Sequence, residues 1–129
     1  MPISEPSAPP IRKAAILVVE DEVMIRMLVT DMLTDLGHTV AAESGELDEA
    51  VRLAETVEFD LAILDVNVNG RTIEPVAEVV QRRKLPLVFS TGYSVEALPA
   101  HFRGRPSVQK PFRIDTLQNA IDAALKAGG

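Results

Sequence analysis

Cysteine and tryptophan are absent from this 129-residue chain, and aromatic residues make up only 4% of it. Without cysteine, no disulfide framework or thiolate metal site can form, which suits a cytoplasmic protein. With 47% hydrophobic residues but only one Tyr and four Phe, the core must be built from Val, Leu, Ile, Ala and Met. Positive charge is also scarce: 13 Lys and Arg face 19 Asp and Glu, giving a net charge of −6 and an isoelectric point near 4.9. That balance disfavours a nucleic-acid ligand held through its phosphates. No apolar run approaches the roughly 20 residues of a membrane span.

What is present is periodic. Residues 1–12 are rich in proline and carry no apolar signal core, so a flexible tail is expected there, with one domain over residues 13–127. Apolar runs at Ala14–Val19, Thr39–Glu43, Leu61–Leu64, Leu85–Thr91 and Ser107–Gln109 predict five strands. Helical patterns alternate with them. The first places Ile25, Leu28, Val29, Met32 and Leu36 on one face, with Gly37 as its stop. The second opens near Leu47 with Asp48 and Glu49 in its first turn. The third has Pro75 in its opening turn and ends in Arg82, Arg83 and Lys84. A fourth, over SVEALPAHF, is weak and interrupted by Pro99, and the last carries Ile114, Leu117, Ile121 and Leu125 on one face. Strict alternation of this kind predicts an α/β fold, a doubly wound parallel sheet with helices on both faces. The last helix stops close to the terminus, so a single-domain chain is expected.

DVNVNG, residues 65–70, looks like the start of a calcium-binding loop. The twelfth residue from Asp65, where such a loop needs a bidentate carboxylate, is Val76, and the preceding LAIL predicts a strand rather than a helix. Asp65 is therefore an aspartate at a strand tip. In doubly wound sheets, ligands bind outside the carboxyl ends of the strands. At those ends stand Glu20, Asp21 and Glu22, then Asp65, then Ser90 and Thr91, then Lys110. A single acid after a strand is usually a solvated helix start. Polar residues of complementary type at four strand ends are a different matter. Clustered carboxylates need a cation, and an oxygen-rich site with open positions suits Mg²⁺. With Lys110 as a second positive centre and Thr91 as a donor, such a site stabilises a transferring phosphoryl group, with Asp65 as the nucleophile.

From about Lys13 onward these residues resemble the receiver domain of bacterial two-component response regulators. VVEDE is similar to that family's first-strand acidic motif, LAILDVN to its phosphoacceptor strand, FSTG to its threonine strand and QKPF to its lysine–proline motif. The resemblance implies a flavodoxin-like strand order 2-1-3-4-5. It implies Asp65 as phosphoacceptor, and Mg²⁺ held by Glu20, Asp21, Asp65 and the backbone carbonyl of Asn67. It also implies Thr91 and Lys110 as phosphoryl-binding residues, and a cis bond between Lys110 and Pro111. PLVFSTGY is similar to the signature of the FAT GUY subfamily of single-domain receivers, with Leu87 and Ser90 as departures. Two further departures are Asn69, where receivers commonly have proline, and Ser107, where they have an aromatic. Tyr93 is the candidate to take over that aromatic's switching role alongside Thr91.

The expected function is a phosphorylated signalling module rather than an enzyme. It takes phosphate from a sensor histidine kinase or histidine phosphotransferase and signals to a downstream protein or relays the phosphoryl group. An aspartyl-phosphate phosphatase is the rival, but such enzymes need a general acid where this chain has Asn67. A pseudo-receiver that binds partners without phosphorylation is the third reading, and the complete acid, threonine and lysine set weighs against it. His38 is expected in a surface turn, His101 in an irregular stretch, Arg103–Arg105 in a solvated loop able to meet an acidic partner, and Phe89 and Phe112 in the core.

Overall fold

The computed structural model describes residues 13–92, 102 and 104–127. In chain order the elements are β1 (Ala15–Val19), α1 (Val23–Asp35), β2 (Thr39–Ser44), α2 (Leu47–Thr56) and β3 (Leu61–Asp65). There follow β4 (Asn67–Val68), β5 (Arg71–Thr72), α3 (Glu74–Arg82), β6 (Leu87–Thr91), β7 (Ser107–Gln109) and α4 (Ile114–Ala127). Five strands form one parallel sheet in the order β2-β1-β3-β6-β7, while β4 and β5 form a separate antiparallel hairpin. Leaving the hairpin aside, this is the expected 2-1-3-4-5 order. β1 and β3 lie in the middle of the sheet, so their carboxyl ends face one another across the place where the winding reverses.

Alternation along each strand splits the core in two. Leu17, Val19, Ala62, Leu64 and Phe89 pack on one face with α2 and α3, and Phe89 meets Phe102 edge to face at 5.5 Å. Ile16, Val18, Leu61, Ile63 and Val88 pack on the other face with Val29 and Leu33 of α1 and Leu117 and Ile121 of α4. Each such aliphatic side chain contributes about 1.5–3 kcal/mol by leaving water.

The sequence patterns need four corrections among the described residues. In α1 the buried residues are Val29 and Leu33, whereas Leu28 is 51% exposed. At 100° per residue the stripe through Ile25, Val29 and Leu36 leaves Leu28 on its flank. His38 is buried, not a surface turn residue. Gly37 adopts φ 91°, and the His38 N–H donates to the Leu33 carbonyl (2.9 Å), closing a Schellman motif whose following residue folds back over the helix. Arg83 lies beyond the end of α3, and its guanidinium donates to the carbonyls of Ala54 and Val57 at the end of α2. Phe112 is half-buried, whereas Phe89 is fully enclosed. The expected tail, Tyr93, residues 94–101 of the weak fourth-helix segment with His101 among them, and Arg103 lie outside the described residues.

Candidate functional site

The parallel sheet aims four chain segments at one end. β1 delivers Glu20 and Asp21, β3 delivers Asp65, β6 delivers Thr91, and β7 delivers Lys110. Backbone bonds hold these tips: the Glu20 N–H donates to the Ser44 carbonyl, and the Lys110 N–H to the Thr91 carbonyl (2.8 Å). A cleft of about 330 Å³ opens here, lined by Asp21, Asp65, Asn67, Thr91, Gly92 and Lys110 among others. The Lys110–Pro111 peptide is cis.

Charge is unbalanced. One carboxylate oxygen from each of Glu20, Asp21 and Asp65 lies within 4.8 Å of the others, and Glu20 and Asp65 are only 2% and 5% exposed. Against them stands the Lys110 ammonium, 2.8 Å from Glu20 Oε1 and 3.2 Å from Asp65 Oδ2. Burial, with repulsion from Glu20, pushes the Asp65 carboxyl up to about 7, and Lys110 only partly offsets this. Burial alone would lower the Lys110 ammonium, but hydrogen bonding to Glu20 and the charge of Asp65 outweigh it, and its pKa is raised. Burial works against the charge of Asp21 too, yet hydrogen bonds, led by the Asn69 N–H, hold its carboxyl below the usual range.

The donor set fits a hard divalent cation. All side-chain ligands in the cluster are carboxylate oxygens, and Asn67 lines the same cleft. In the hairpin, the Ile73 N–H donates to the Val66 carbonyl, so the alternation of the antiparallel ladder leaves the Asn67 carbonyl unclaimed by β5. A cation here would also relieve three carboxylates facing one ammonium.

Sequence reasoning missed the hairpin itself. Asn69 and Gly70 have φ of 53° and 81°, the two left-handed residues of a type I′ turn. The dipeptide Asn-Gly between Val68 and Arg71 was the available signal. It also missed Arg26, whose guanidinium donates to the Glu20 carbonyl (2.7 Å) and pairs with Glu43 (3.1 Å).

A doubly wound sheet with acids, a hydroxyl and a lysine at these strand ends is the architecture of a receiver. The chain belongs to the response regulator receiver family, whose domain model matches residues 16–122. It is 36% identical over 114 residues to the transcriptional regulatory protein PdtaR of Mycobacterium tuberculosis, covering 85% of this chain and 56% of that protein. The chain thus spans little more than half the length of that relative. Among solved structures it resembles SdrG from Sphingomonas melonis Fr1, with a TM-score of 0.80 and 39% identity over 88% of this chain and 97% of the other. The response regulator PhyR from Brucella abortus is similar at a TM-score of 0.78 and 29% identity, over 90% of this chain and 49% of that one. Receivers take phosphate from kinases and act on downstream partners, and they bind Mg²⁺ at an acidic pocket. Among the described residues no helix is long and apolar enough to cross a membrane.

Proposed function

We propose that Asp65 accepts a phosphoryl group from a phosphohistidine of a sensor kinase or phosphotransferase, with Mg²⁺ held by Glu20, Asp21, Asp65 and the Asn67 carbonyl. The observation that carries this reading is the placement of Asp65 between two further carboxylates and an ammonium at the mouth of one cleft. An Asp65 oxygen attacks phosphorus, the bond from phosphorus to the histidine nitrogen breaks, and the imidazole leaves with the electron pair and takes up a proton. The bound cation supplies charge neutralisation at the phosphoryl oxygens.

The chain's own residues do the rest. Asp65 must be ionised to attack, and burial beside Glu20 pushes its carboxyl up to about 7, so added positive charge in the cluster favours the attacking form. Lys110 reaches Asp65 already and is placed to follow a phosphoryl oxygen. Thr91, in the same cleft, is the donor that would report the phosphoryl group to the segment after β6. Tyr93 would follow Thr91 in that switch. The product is then a changed surface for a downstream protein, or a phosphoryl group passed on, rather than a turned-over substrate. The PLVFSTGY segment supports a place in the FAT GUY group of receivers.

Intact mass after incubation with acetyl phosphate and Mg²⁺ tests the reading. Wild type should gain a hydroxylamine-labile phosphoryl adduct, and Asp65→Asn should gain none. A wild type that binds Mg²⁺ but acquires no adduct from acetyl phosphate or from a phosphorylated partner would sink it.

A further inference from the structure

The tip of the β4–β5 hairpin reaches the acidic cluster. Asn69 stands at that tip in the left-handed region, φ 53°, which asparagine tolerates better than most side chains. Its backbone N–H donates to Asp21 Oδ2 at 2.8 Å, and its side-chain Nδ2 donates to the Gly45 carbonyl at 3.1 Å. The turn is closed from within, since the Gly70 N–H donates to Asn67 Oδ1 at 2.9 Å. One residue thus links three segments: the acidic turn after β1, the loop between β2 and α2, and the hairpin itself.

We propose that Asn69 is a positioning residue for the divalent cation, aiming Asp21 through its N–H and anchoring the hairpin to the Gly45 carbonyl through its side chain. The inference rests on the metal reading above. Asp21 is the least enclosed of the three carboxylates and would otherwise sample several rotamers. Committing Oδ2 to a fixed donor orients the group before a cation arrives and leaves the second oxygen to bind it. The anchor is itself braced. A Cβ on Gly45 would collide with the Arg26 guanidinium, which holds the Glu20 carbonyl at 2.7 Å. Asn69 and Arg26 therefore grip neighbouring residues of the acidic turn, Asp21 and Glu20, and both meet the chain at Gly45.

The test is Mn²⁺ affinity, measured by electron paramagnetic resonance or calorimetry without any phosphodonor. Asn69→Gly retains the left-handed turn and the N–H but removes the anchor. Asn69→Pro removes the N–H as well and, with its φ fixed at about −65°, also breaks the left-handed turn, so it marks only the limit of full loss. Asn69→Gly should weaken Mn²⁺ binding by about tenfold, because the N–H that aims Asp21 is no longer held in place by the anchor on the Gly45 carbonyl. In an Asp21→Asn background the same change should alter affinity less than about twofold, because the effect is carried by Asp21. Asn69→Pro should weaken binding at least as much as the glycine variant. Equal losses in both backgrounds, or wild-type affinity in Asn69→Gly, would overturn the proposal while leaving the metal site standing. A wild type that binds no Mn²⁺ would overturn both.

Discussion

The two ends of the central sheet treat buried polar groups in opposite ways. At the amino end the buried polar side chains of the described residues are matched. The Ala14 N–H donates to His38 Nδ1 at 3.1 Å, which leaves His38 Nε2 to donate to Gln118 Oε1 at 3.0 Å. Gln118 Nε2 then donates to Asp122, while the Ala15 N–H donates to Asp60. At the carboxyl end Glu20 and Asp65 share one lysine with Asp21 crowded beside them, and the Ser90 hydroxyl has no partner among the described residues. A matched network stabilises the fold, whereas a crowded one is tolerated because the rest of the core holds it and because something else completes it.

Emptying the matched end should have the largest effect on stability. His38→Ala leaves a cavity and orphans both the Ala14 N–H and Gln118, a loss of about 2–4 kcal/mol by urea denaturation. Its phosphoryl adduct with acetyl phosphate should form as in wild type, since the network lies across the sheet from Asp65. A stable but unphosphorylated variant would break the division between the two ends.

Relieving the crowded end should act in the opposite direction. Asp65 holds its proton with a pKa of about 7 in the fold against 3.8 for an unperturbed carboxyl. The native state therefore binds more protons than the unfolded chain between those values, and wild-type stability falls as pH rises through that window. With allowance for solvent screening, Asp65→Asn should be about 1–2 kcal/mol more stable than wild type near pH 8 without divalent cation. That advantage should vanish near pH 4, and Mg²⁺ should narrow it by stabilising wild type alone. Equal stability at both pH values would mean that the cluster is not strained.

The smallest effect sharpens the same contrast. Ser90→Ala removes a buried hydroxyl without a partner beside the Asp65 register position, and stability should rise by about 0.5–1 kcal/mol. A loss instead would place a hydrogen-bond partner on Ser90 and make the crowded end smaller than it looks.

Much of this molecule was legible because its signals are local or periodic. The five apolar runs, the Gly37 stop and the proline at the start of α3 each depend on a few neighbouring residues. The acids and the lysine were legible for a different reason. In a parallel sheet all strand ends of one polarity lie together, so residues far apart in the chain could be assigned to one cleft before their distances were known. Leu28 was placed on the buried face and Leu33 left off it because a helical stripe read from sequence is uncertain at its flanks. His38 was misplaced because a residue after a glycine stop resembles a turn until the helix end folds it inward. The Asn69–Gly70 hairpin was overlooked because the strands it joins have only two residues each, too few for an alternating pattern to register.

By itself, then, the sequence determined the layering of the fold, its aliphatic core and the side chains offered at each strand tip. These follow from periodicity and from the few connections a parallel sheet allows. Only the tertiary structure decided which oxygen meets which proton: Lys110 between Glu20 and Asp65, Asn69 on Asp21, His38 on Gln118. Those pairings are set to within an ångström by packing between distant segments, and no local pattern in the chain encodes that distance.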